Sequence, residues 1–396
     1  MTTFYDKTGL PKSLAWGFIG VLIFMMGDGI EQTWLSRYIA SQGLDHEVLF
    51  TVYGISVALS AWFSGVIAET IGVRRTMLLG YLVYLVGMAG FAGIGMMGLN
   101  YPVLLVTYAI KGLGYPLFAY TFIVWIAYRV DKSRLSSAQG WFWFVFTGGL
   151  NVLGAYYGAY AMERIGVVPT LWSSLVFASV GAVLALWVNK CDDRNLFVGA
   201  ERPSSGTSKF RELLSGLAIM KREPKVLVGG IVRVINTTSQ FAFVVFMPLY
   251  LKDYGIGDTQ WASIWGSIFL FNILFNLIFG ISSSHERLSK LVNNGVGCAV
   301  SVLLFFYAPV ICNNFWFILA CGALWCIMLA GYVPLSALVP SLVDKDKGAA
   351  VSVLNLGAGL AAFVGPLIVA LFLAVPYLQK QSRSSFWLAK RIPALE

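Results

Sequence analysis

The sequence has 396 residues, of which 58% are hydrophobic and 12% charged, with a formal net charge of +9. Soluble domains carry about 25% charged residues, so this composition excludes a soluble globular protein and predicts an integral, all-α membrane protein. Mainly apolar runs of about 18 residues or more, long enough to cross a bilayer as a helix, recur along the chain. We predict eleven such spans, at residues 13–36, 47–68, 76–97, 101–128, 136–160, 167–189, 224–250, 260–281, 292–311, 314–341 and 349–375.

The first predicted span contains two carboxylates, Asp28 and Glu31, within the stretch MMGDGIEQTWLSRY. An ionisable group at mid-membrane costs roughly 2.5–3.5 kcal/mol, so it is retained where it faces water or a partner. The spacing of three residues puts both on one helix face, and the helical rise places Lys111 of the fourth span at a similar depth. We therefore predict that these three residues form a proton-coupling site. An alternative for Glu31 is contact with water or with Arg37.

The loop after the second span reads GVIAETIGVRR. Glycines permit close packing and a turn, the acid can cap a helix N-terminus, and the arginines can anchor the cytoplasmic face. The loop resembles the motif of the major facilitator superfamily, Gly-x-x-x-Asp/Glu-Arg/Lys-x-Gly-x-Arg/Lys-Arg/Lys, and departs from it only at Thr70. The resemblance implies two six-helix bundles around a central cavity, and a conformational role for Gly65, Glu69, Gly72, Arg74 and Arg75.

Three stretches point to one family within this superfamily: FMMGDGIEQTWLSRYI, YGISVALSAWFSGVIAE and IKGLGYPLFAYTFIVWI. Together they resemble the polyol permease family, the bacterial ribitol and D-arabinitol transporters. The resemblance implies import of a linear sugar alcohol driven by a proton gradient, without a cofactor. Sugar porters of the superfamily often carry an Asp in the first span and an Arg in the fourth, the positions of Asp28 and Lys111. Lysine does not offer the bidentate geometry of arginine.

Polar side chains in the later spans suggest where a solute binds. Amides both donate and accept hydrogen bonds, as a row of hydroxyl groups requires, and tyrosine rings can pack on C–H groups. Each amide taken alone can equally join two helices. The candidate substrate-binding residues are Tyr53, Tyr115, Trp143, Asn151, Arg233, Asn236, Gln240, Asn272, Asn276, Tyr332 and Asn355.

The distribution of basic residues predicts the orientation in the membrane. With the N-terminus inside, the cytoplasmic loops carry 19 Lys and Arg residues and the opposite loops three. Positive residues concentrate on the cytoplasmic side, so we predict a cytoplasmic N-terminus in a bacterial inner membrane. The predicted parts are an N-terminal bundle at 1–189, a cytoplasmic linker at 190–223, a C-terminal bundle at 224–375 and an atypical tail at 376–396.

The tail after residue 375 has no apolar run long enough for a twelfth span, which we interpret as a truncated or altered end, with an amphipathic tail as the alternative. The five cysteines lack metal-ligand spacing, and no catalytic motif occurs, so neither a metal site nor an enzyme is predicted. We expect a monomer that contacts the bilayer and a small polyol but no nucleic acid. Alternatives are an organic-anion permease for a substrate such as 2-oxoglutarate, gripped by Lys111 and Arg233, and a non-transporting membrane sensor.

Overall fold

The computed structural model describes residues 9–190, 215–282, 288–343 and 347–374, and its regular elements are helices. The first half of the chain contains α1 to α8 and the second half α9 to α15. In chain order they are α1 Ala15–Gly29, α2 Leu35–Ser41, α3 His46–Ile71, α4 Val73–Gly98, α5 Tyr101–Arg129, α6 Leu135–Thr147, α7 Gly154–Ile165, α8 Val167–Val188, α9 Ser215–Arg222, α10 Pro224–Lys252, α11 Asp258–Ser282, α12 Leu288–Ile311, α13 Phe315–Ala330, α14 Leu335–Ser341 and α15 Lys347–Ala374.

Nine helices of the described ranges are long and apolar enough to cross a membrane. They account for nine of the eleven predicted spans, with α13 and α14 together counted as one. The fifth predicted span is helical as α6 and α7, but its glycine, tyrosine and tryptophan residues lower its mean hydropathy. The tail at 376–396, which the prediction about a twelfth span concerns, lies outside the described residues. Most of the linker does as well.

The first predicted span is not one helix, so the prediction of a continuous span over 13–36 was wrong. α1 ends at Gly29, and the chain turns through residues 30–34 before α2 begins. Gly29 permits a close approach at this point, because a Cβ atom there would overlap the backbone of Leu150. Glu31 consequently lies in a turn and not on a helix face. The tenth span is interrupted in a similar way between α13 and α14.

Among the residues that the structure describes, four segments are π-helical, namely Phe91–Gly95, Pro116–Tyr120, Gly148–Leu153 and Leu184–Val188. A π turn holds an extra residue, so it rotates the side chains beyond it relative to α-helical periodicity. In α5 the cause is visible, because Pro116 has no N–H group to donate to the helical ladder. These shifts change which side chains reach the centre of the molecule.

Extended contacts between pairs of helices join the two halves. α3 packs against α15, where Gly54 meets the backbone of Ala362 and Gly359 meets that of Ala58. A methyl group at either glycine would overlap the opposite backbone, so the helices can approach only because these residues are small. We call this contact the small-residue seam. A second contact runs between α6 and α11 and includes Gly140.

We call the end of the molecule that carries α2 the outer end, following the predicted orientation. There the Arg37 guanidinium forms an ion pair with Asp258 at the start of α11. It also donates to the carbonyl oxygens of Pro248 at 2.5 Å and Ile256 at 3.3 Å. Arg37 therefore pairs across the two halves, and not with Glu31 as the alternative prediction had it. The outer end is closed by charged contacts.

Neutral hydrogen bonds link the two halves toward the opposite, inner end. The Ser136 hydroxyl donates to the carbonyl oxygen of Gly280 at 2.9 Å, and the Asn355 amide donates to the Ser64 hydroxyl at 3.4 Å. The ion pair between Arg37 and Asp258 joins the halves at the outer end, so the described contacts hold the halves together at both ends.

The surface around the helices is apolar. Large side chains such as Val86, Met97, Val176, Ile235 and Trp316 are more than 60% exposed. A continuous apolar exterior of this kind would be unfavourable in water and suits contact with lipid acyl chains. The chain is a multi-pass membrane protein.

Candidate functional site

Three charged side chains of the first half meet in the interior. Lys111 Nζ of α5 lies 3.0 Å from Asp28 Oδ1 and also donates to Glu31 Oε1. The three residues are at most 3% exposed. The break between α1 and α2 makes the arrangement possible, because the turn after Gly29 brings Glu31 back toward Lys111. We call these three residues the ion cluster.

Aromatic rings surround the ammonium group of Lys111. Its Nζ atom lies 5.5 Å from the ring centres of Tyr53 and Tyr84, and 5.3 Å from that of Tyr108. Such rings attract a cation and exclude water from around it. The ion cluster is therefore held in a rigid, weakly polar setting.

The ion cluster has a charge imbalance. With all three groups ionised, Asp28 and Glu31 contribute two negative charges and Lys111 one positive charge. An excess charge buried in a weakly polar interior costs several kcal/mol, and one bound proton removes it. The arrangement is chemically suited to take up and release a single proton.

A central cavity lies between the halves, bounded by α5 and α6 on one side and by α10, α11 and α13 on the other. The centre of a water molecule can occupy about 50 Å³ of it, several times the space that one water needs. Its lining residues are Tyr115, Tyr120, Trp143, Phe146, Thr147, Leu150, Arg233, Asn236, Thr237, Gln240, Phe241, Asn272, Asn276, Leu329 and Val333.

Arg233 is the cation of this cavity. Its guanidinium carbon lies 4.2 Å from the ring centre of Trp143, and no carboxylate of the described chain lies within ion-pair distance of it. On the following turn of α10, Asn236 Oδ1 and Thr237 Oγ1 are buried without a hydrogen-bond partner in the described part of the chain. Buried polar atoms are nearly always paired, so these groups are available to a bound solute.

A smaller inner cavity lies next to the central one, toward the inner end. Trp143 and Arg233 line both cavities, while Ser336 and Asn355 line only the inner one. The inner cavity offers about 10 Å³ to the centre of a water molecule, which is room for about one. The pair formed by Arg233 and Trp143 is thus the wall between the two spaces.

Seven of the eleven predicted substrate-binding residues line the central cavity, namely Tyr115, Trp143, Arg233, Asn236, Gln240, Asn272 and Asn276. The amides of Asn272 and Asn276 are partly occupied by helix packing. Asn272 donates to the carbonyl oxygen of Cys326 at 2.9 Å, and Asn276 donates to Asn272 Oδ1 at 2.9 Å. Asn272 therefore links α11 to α13, while both asparagines also line the central cavity.

The other four lie elsewhere. Tyr53 belongs to the surroundings of the ion cluster, and Asn355 lines the inner cavity. Tyr332 is buried in the hydrophobic core, 4% exposed. Asn151 accepts a hydrogen bond from Trp265 Nε1 at 3.2 Å. The π segment that contains Asn151 rotates it away from the face that α-helical spacing predicts.

Sequence reasoning missed Tyr84, Tyr108 and Tyr120. Tyr108 lies three residues before Lys111, so the shared helix face was a usable signal. Tyr120 lines the central cavity with Tyr115, although it lies five positions later in the chain, because residues 116–120 of α5 form a π segment. The position of Tyr84 follows from packing between helices, and no local pattern predicts it.

The loop motif after α3 forms a tight turn. Gly72 has a φ of 96°, a conformation that favours glycine, and it separates α3 from α4. Gly65 is buried within α3, and Arg75 is exposed at the inner end. The second glycine of the motif therefore has a backbone reason to be glycine.

The charged residues of the motif contact other helices. Arg74 donates to the carbonyl oxygens of Leu186 at 2.7 Å and Asn189 at 2.5 Å, which satisfies the end of α8. Glu69 accepts a hydrogen bond from the Tyr128 hydroxyl at 2.5 Å. The N-cap of α4 is Gly72, which has no side chain to form a capping hydrogen bond. The motif ties α3, α4, α5 and α8 together.

The fold and these sites can be compared with known proteins. The family model described as Major Facilitator Superfamily matches residues 13–366. The chain belongs to this superfamily. Its members transport solutes, so the prediction that the chain is a transporter and not an enzyme is confirmed.

Curated relatives match nearly the whole chain. YoaB of Bacillus subtilis (strain 168) is 48% identical over 93% of this chain and 89% of its own length. The alpha-ketoglutarate permease of the same organism is 46% identical over 93% of this chain and 85% of its own. The ribitol transporter of Klebsiella pneumoniae is 37% identical over 93% of this chain and 87% of its own. The resemblance to the ribitol and D-arabinitol transporters is confirmed.

Solved structures share the fold at low sequence identity. The human organic anion transporter MFSD10 superposes with a TM-score of 0.71 at 16% identity, covering 91% of this chain and 94% of that one. The proton:xylose symporter XylE superposes with a TM-score of 0.68 at 14% identity, covering 93% of this chain and 89% of that one. These likenesses concern the fold alone.

Proposed function

We propose that this chain is a proton-coupled transporter whose central cavity takes a small carboxylate, of the chemical class of 2-oxoglutarate. The observation that carries the proposal is Arg233, a cation on the cavity wall with no carboxylate partner in the described part of the chain. A cation without a counter-charge inside a membrane protein is costly. A carboxylate substrate would supply the missing charge.

The groups around Arg233 suit the rest of such a solute. A guanidinium binds a carboxylate through two parallel N–H···O hydrogen bonds. The unpaired atoms of Asn236 and Thr237, together with the amide of Gln240, can serve a keto, hydroxyl or second carboxylate group. The relative that is named an alpha-ketoglutarate permease, at 46% identity, supports the same substrate class.

A linear sugar alcohol is the second candidate. The amides of Asn236, Asn272 and Asn276 favour it, because they offer donors and acceptors without net charge. The ribitol transporter, 37% identical, supports it as well. A neutral polyol would leave Arg233 without a counter-charge, and for this reason we place the carboxylate first.

Coupling to protons is assigned to the ion cluster of Asp28, Glu31 and Lys111. A proton bound there removes the excess negative charge. Tyr53, which contacts Lys111, lies next to Tyr115 of the central cavity, with ring centres 6.4 Å apart and ring planes at 26°. The halves would then alternate in access, as bundles spanning 1–189 and 224–375. We place the N-terminus in the cytoplasm of a bacterium, with inward transport by a monomer.

Uptake of labelled solutes into proteoliposomes tests the substrate class. With an inward proton gradient we expect 2-oxoglutarate to accumulate, ribitol and D-arabinitol to compete weakly, and a protonophore to abolish accumulation. Accumulation of ribitol without competition from 2-oxoglutarate would reverse the order of the two candidates. Binding of either solute without flux would point to the sensor alternative.

A further inference from the structure

The wall between the central and inner cavities crosses the boundary of the two halves. Trp143 belongs to α6 in the first half, whereas Arg233 of α10 and Ser336 of α14 belong to the second. The indole ring faces the guanidinium at 4.2 Å, and its Nε1 atom donates to the Ser336 hydroxyl at 2.9 Å. A path from the central cavity to the inner end cannot open here while both contacts persist.

The two contacts respond differently to a bound carboxylate. The hydrogen bond between Trp143 and Ser336 joins neutral groups, so the charge of a solute has little effect on it. The contact between Trp143 and Arg233 depends on the positive charge of the guanidinium, because a ring attracts a cation through its quadrupole. A stacked guanidinium keeps its N–H edge free, so a carboxylate can bind it in plane without first displacing the ring.

We propose that Arg233 and Trp143 form a substrate-released inner gate. In the empty state the cation holds the indole of the opposite half, and the gate is closed. A carboxylate bound to Arg233 cancels the charge that attracts the ring, so the two halves separate more readily at the inner end. This inference rests on the proposed carboxylate substrate. Trp143 acts in it as a positioning residue, since it contacts the cation and not the reacting proton site.

Thiol labelling in the inner cavity tests the gate. Ala358 and Val351 of α15 line this cavity and are at most 3% exposed, so a cysteine at either site is protected while the gate is closed. We would place Ala358→Cys, and separately Val351→Cys, in lipid nanodiscs and measure the rate of modification by a water-soluble thiosulfonate. The parent chain with its native cysteines gives the background rate.

The expected result is an acceleration by 2-oxoglutarate of roughly tenfold, the scale on which a desolvated cation–π contact acts. With Trp143→Leu added, labelling should be fast in the absence of solute and insensitive to it. With Trp143→Phe, which retains a ring but loses the Nε1 donor, the response to solute should persist. A purely structural role of Trp143 would raise the labelling rate equally in both variants.

Measuring the binding of labelled 2-oxoglutarate to the same samples tests the carboxylate substrate separately from the gate. If the solute binds while labelling is unchanged or slower, or if the Trp143→Leu variant keeps its response, the gate is refuted and the carboxylate assignment stands. If no 2-oxoglutarate binds to any sample, both the assignment and the gate are refuted. If Ala358→Cys is not expressed, Val351→Cys provides the same measurement, because both residues line the inner cavity.

Discussion

Lys111 and Arg233 are both cations within membrane-spanning helices, but their surroundings are opposite. Lys111 contacts two carboxylates, whereas Arg233 contacts an indole ring and no carboxylate of the described chain. The first site therefore has one negative charge too many, and the second has one positive charge too many. On this contrast we base the proposal that the proton binds in the first half of the chain and the anion in the second.

Replacing Lys111 should have the largest effect. In Lys111→Met two buried carboxylates lose their counter-charge, which should lower the free energy of unfolding by about 3–5 kcal/mol and abolish gradient-driven uptake. Thermal unfolding in detergent and proteoliposome uptake measure the two effects. Lys111→Arg, which keeps the charge, serves as the control. A stable and active Lys111→Met protein would contradict the charge imbalance inferred for the ion cluster.

Replacing Arg233 should have the second-largest effect. Arg233→Gln removes the positive charge that the described lining of the central cavity offers to a carboxylate, so we expect 2-oxoglutarate uptake to fall roughly 30-fold or more with little change in the unfolding temperature. Arg164→Gln is the matched control, because Arg164 is exposed at the outer end, where it stacks on Tyr160 and lines neither cavity of the described residues. If both variants transport alike, Arg233 does not bind the substrate.

Removing a carboxylate of the ion cluster should uncouple transport without preventing it. In Glu31→Gln or Asp28→Asn the excess negative charge is gone, so no proton is required. Under a gradient of one pH unit, one-proton coupling allows about tenfold accumulation, and we expect this to disappear in both variants while solute exchange persists. Glu47→Gln, beside His46 at the outer end, is the control. Accumulation that survives in both variants would remove the cluster from the coupling.

We expect the smallest effect from replacing single asparagines. The sequence predicts substrate binding for both Asn236 and Asn151, but the structure places only the first of these two in the central cavity. Asn236→Ala removes a cavity group without a partner and should raise the KM of transport about five- to tenfold. Asn151→Ala removes the partner of Trp265 and should lower the unfolding temperature while leaving KM unchanged within about twofold. Equal KM values for the two variants would show that position in the cavity does not decide solute binding.

Much of the fold could be predicted from the sequence, and so could the pairing of Lys111 with Asp28 in the ion cluster. Long apolar runs predict helices because a bilayer imposes their length, and an isolated Lys111 facing Asp28 predicts a pair because each charge alone is costly. The turn after Gly29 was missed, although the polar residues Glu31, Gln32 and Thr33 at the break were a usable signal. It results from the close approach of two backbones and from the contact of Glu31 with Lys111.

The central cavity was predicted less well, and the cause is local geometry. Candidates on α10 and α11 follow α-helical periodicity, so Arg233, Asn236 and Gln240 line the cavity as their spacing indicates. In the π segments that spacing fails, which rotated Asn151 out of the predicted stripe and brought in Tyr120. Pattern arguments based on 3.6 residues per turn cannot anticipate an inserted residue.

The small-residue seam between α3 and α15 has a mechanical consequence. Where large side chains interdigitate between two helices, the helices can move past each other only if many rotamers change. Where the backbone of one helix contacts small side chains of the other, few rotamers need to change. We therefore infer that the two halves can rock about Gly54 and Gly359 with few rotamer changes. On the proposed function, the rate of the transport cycle would then be set by the contacts that must break at the two ends of the molecule.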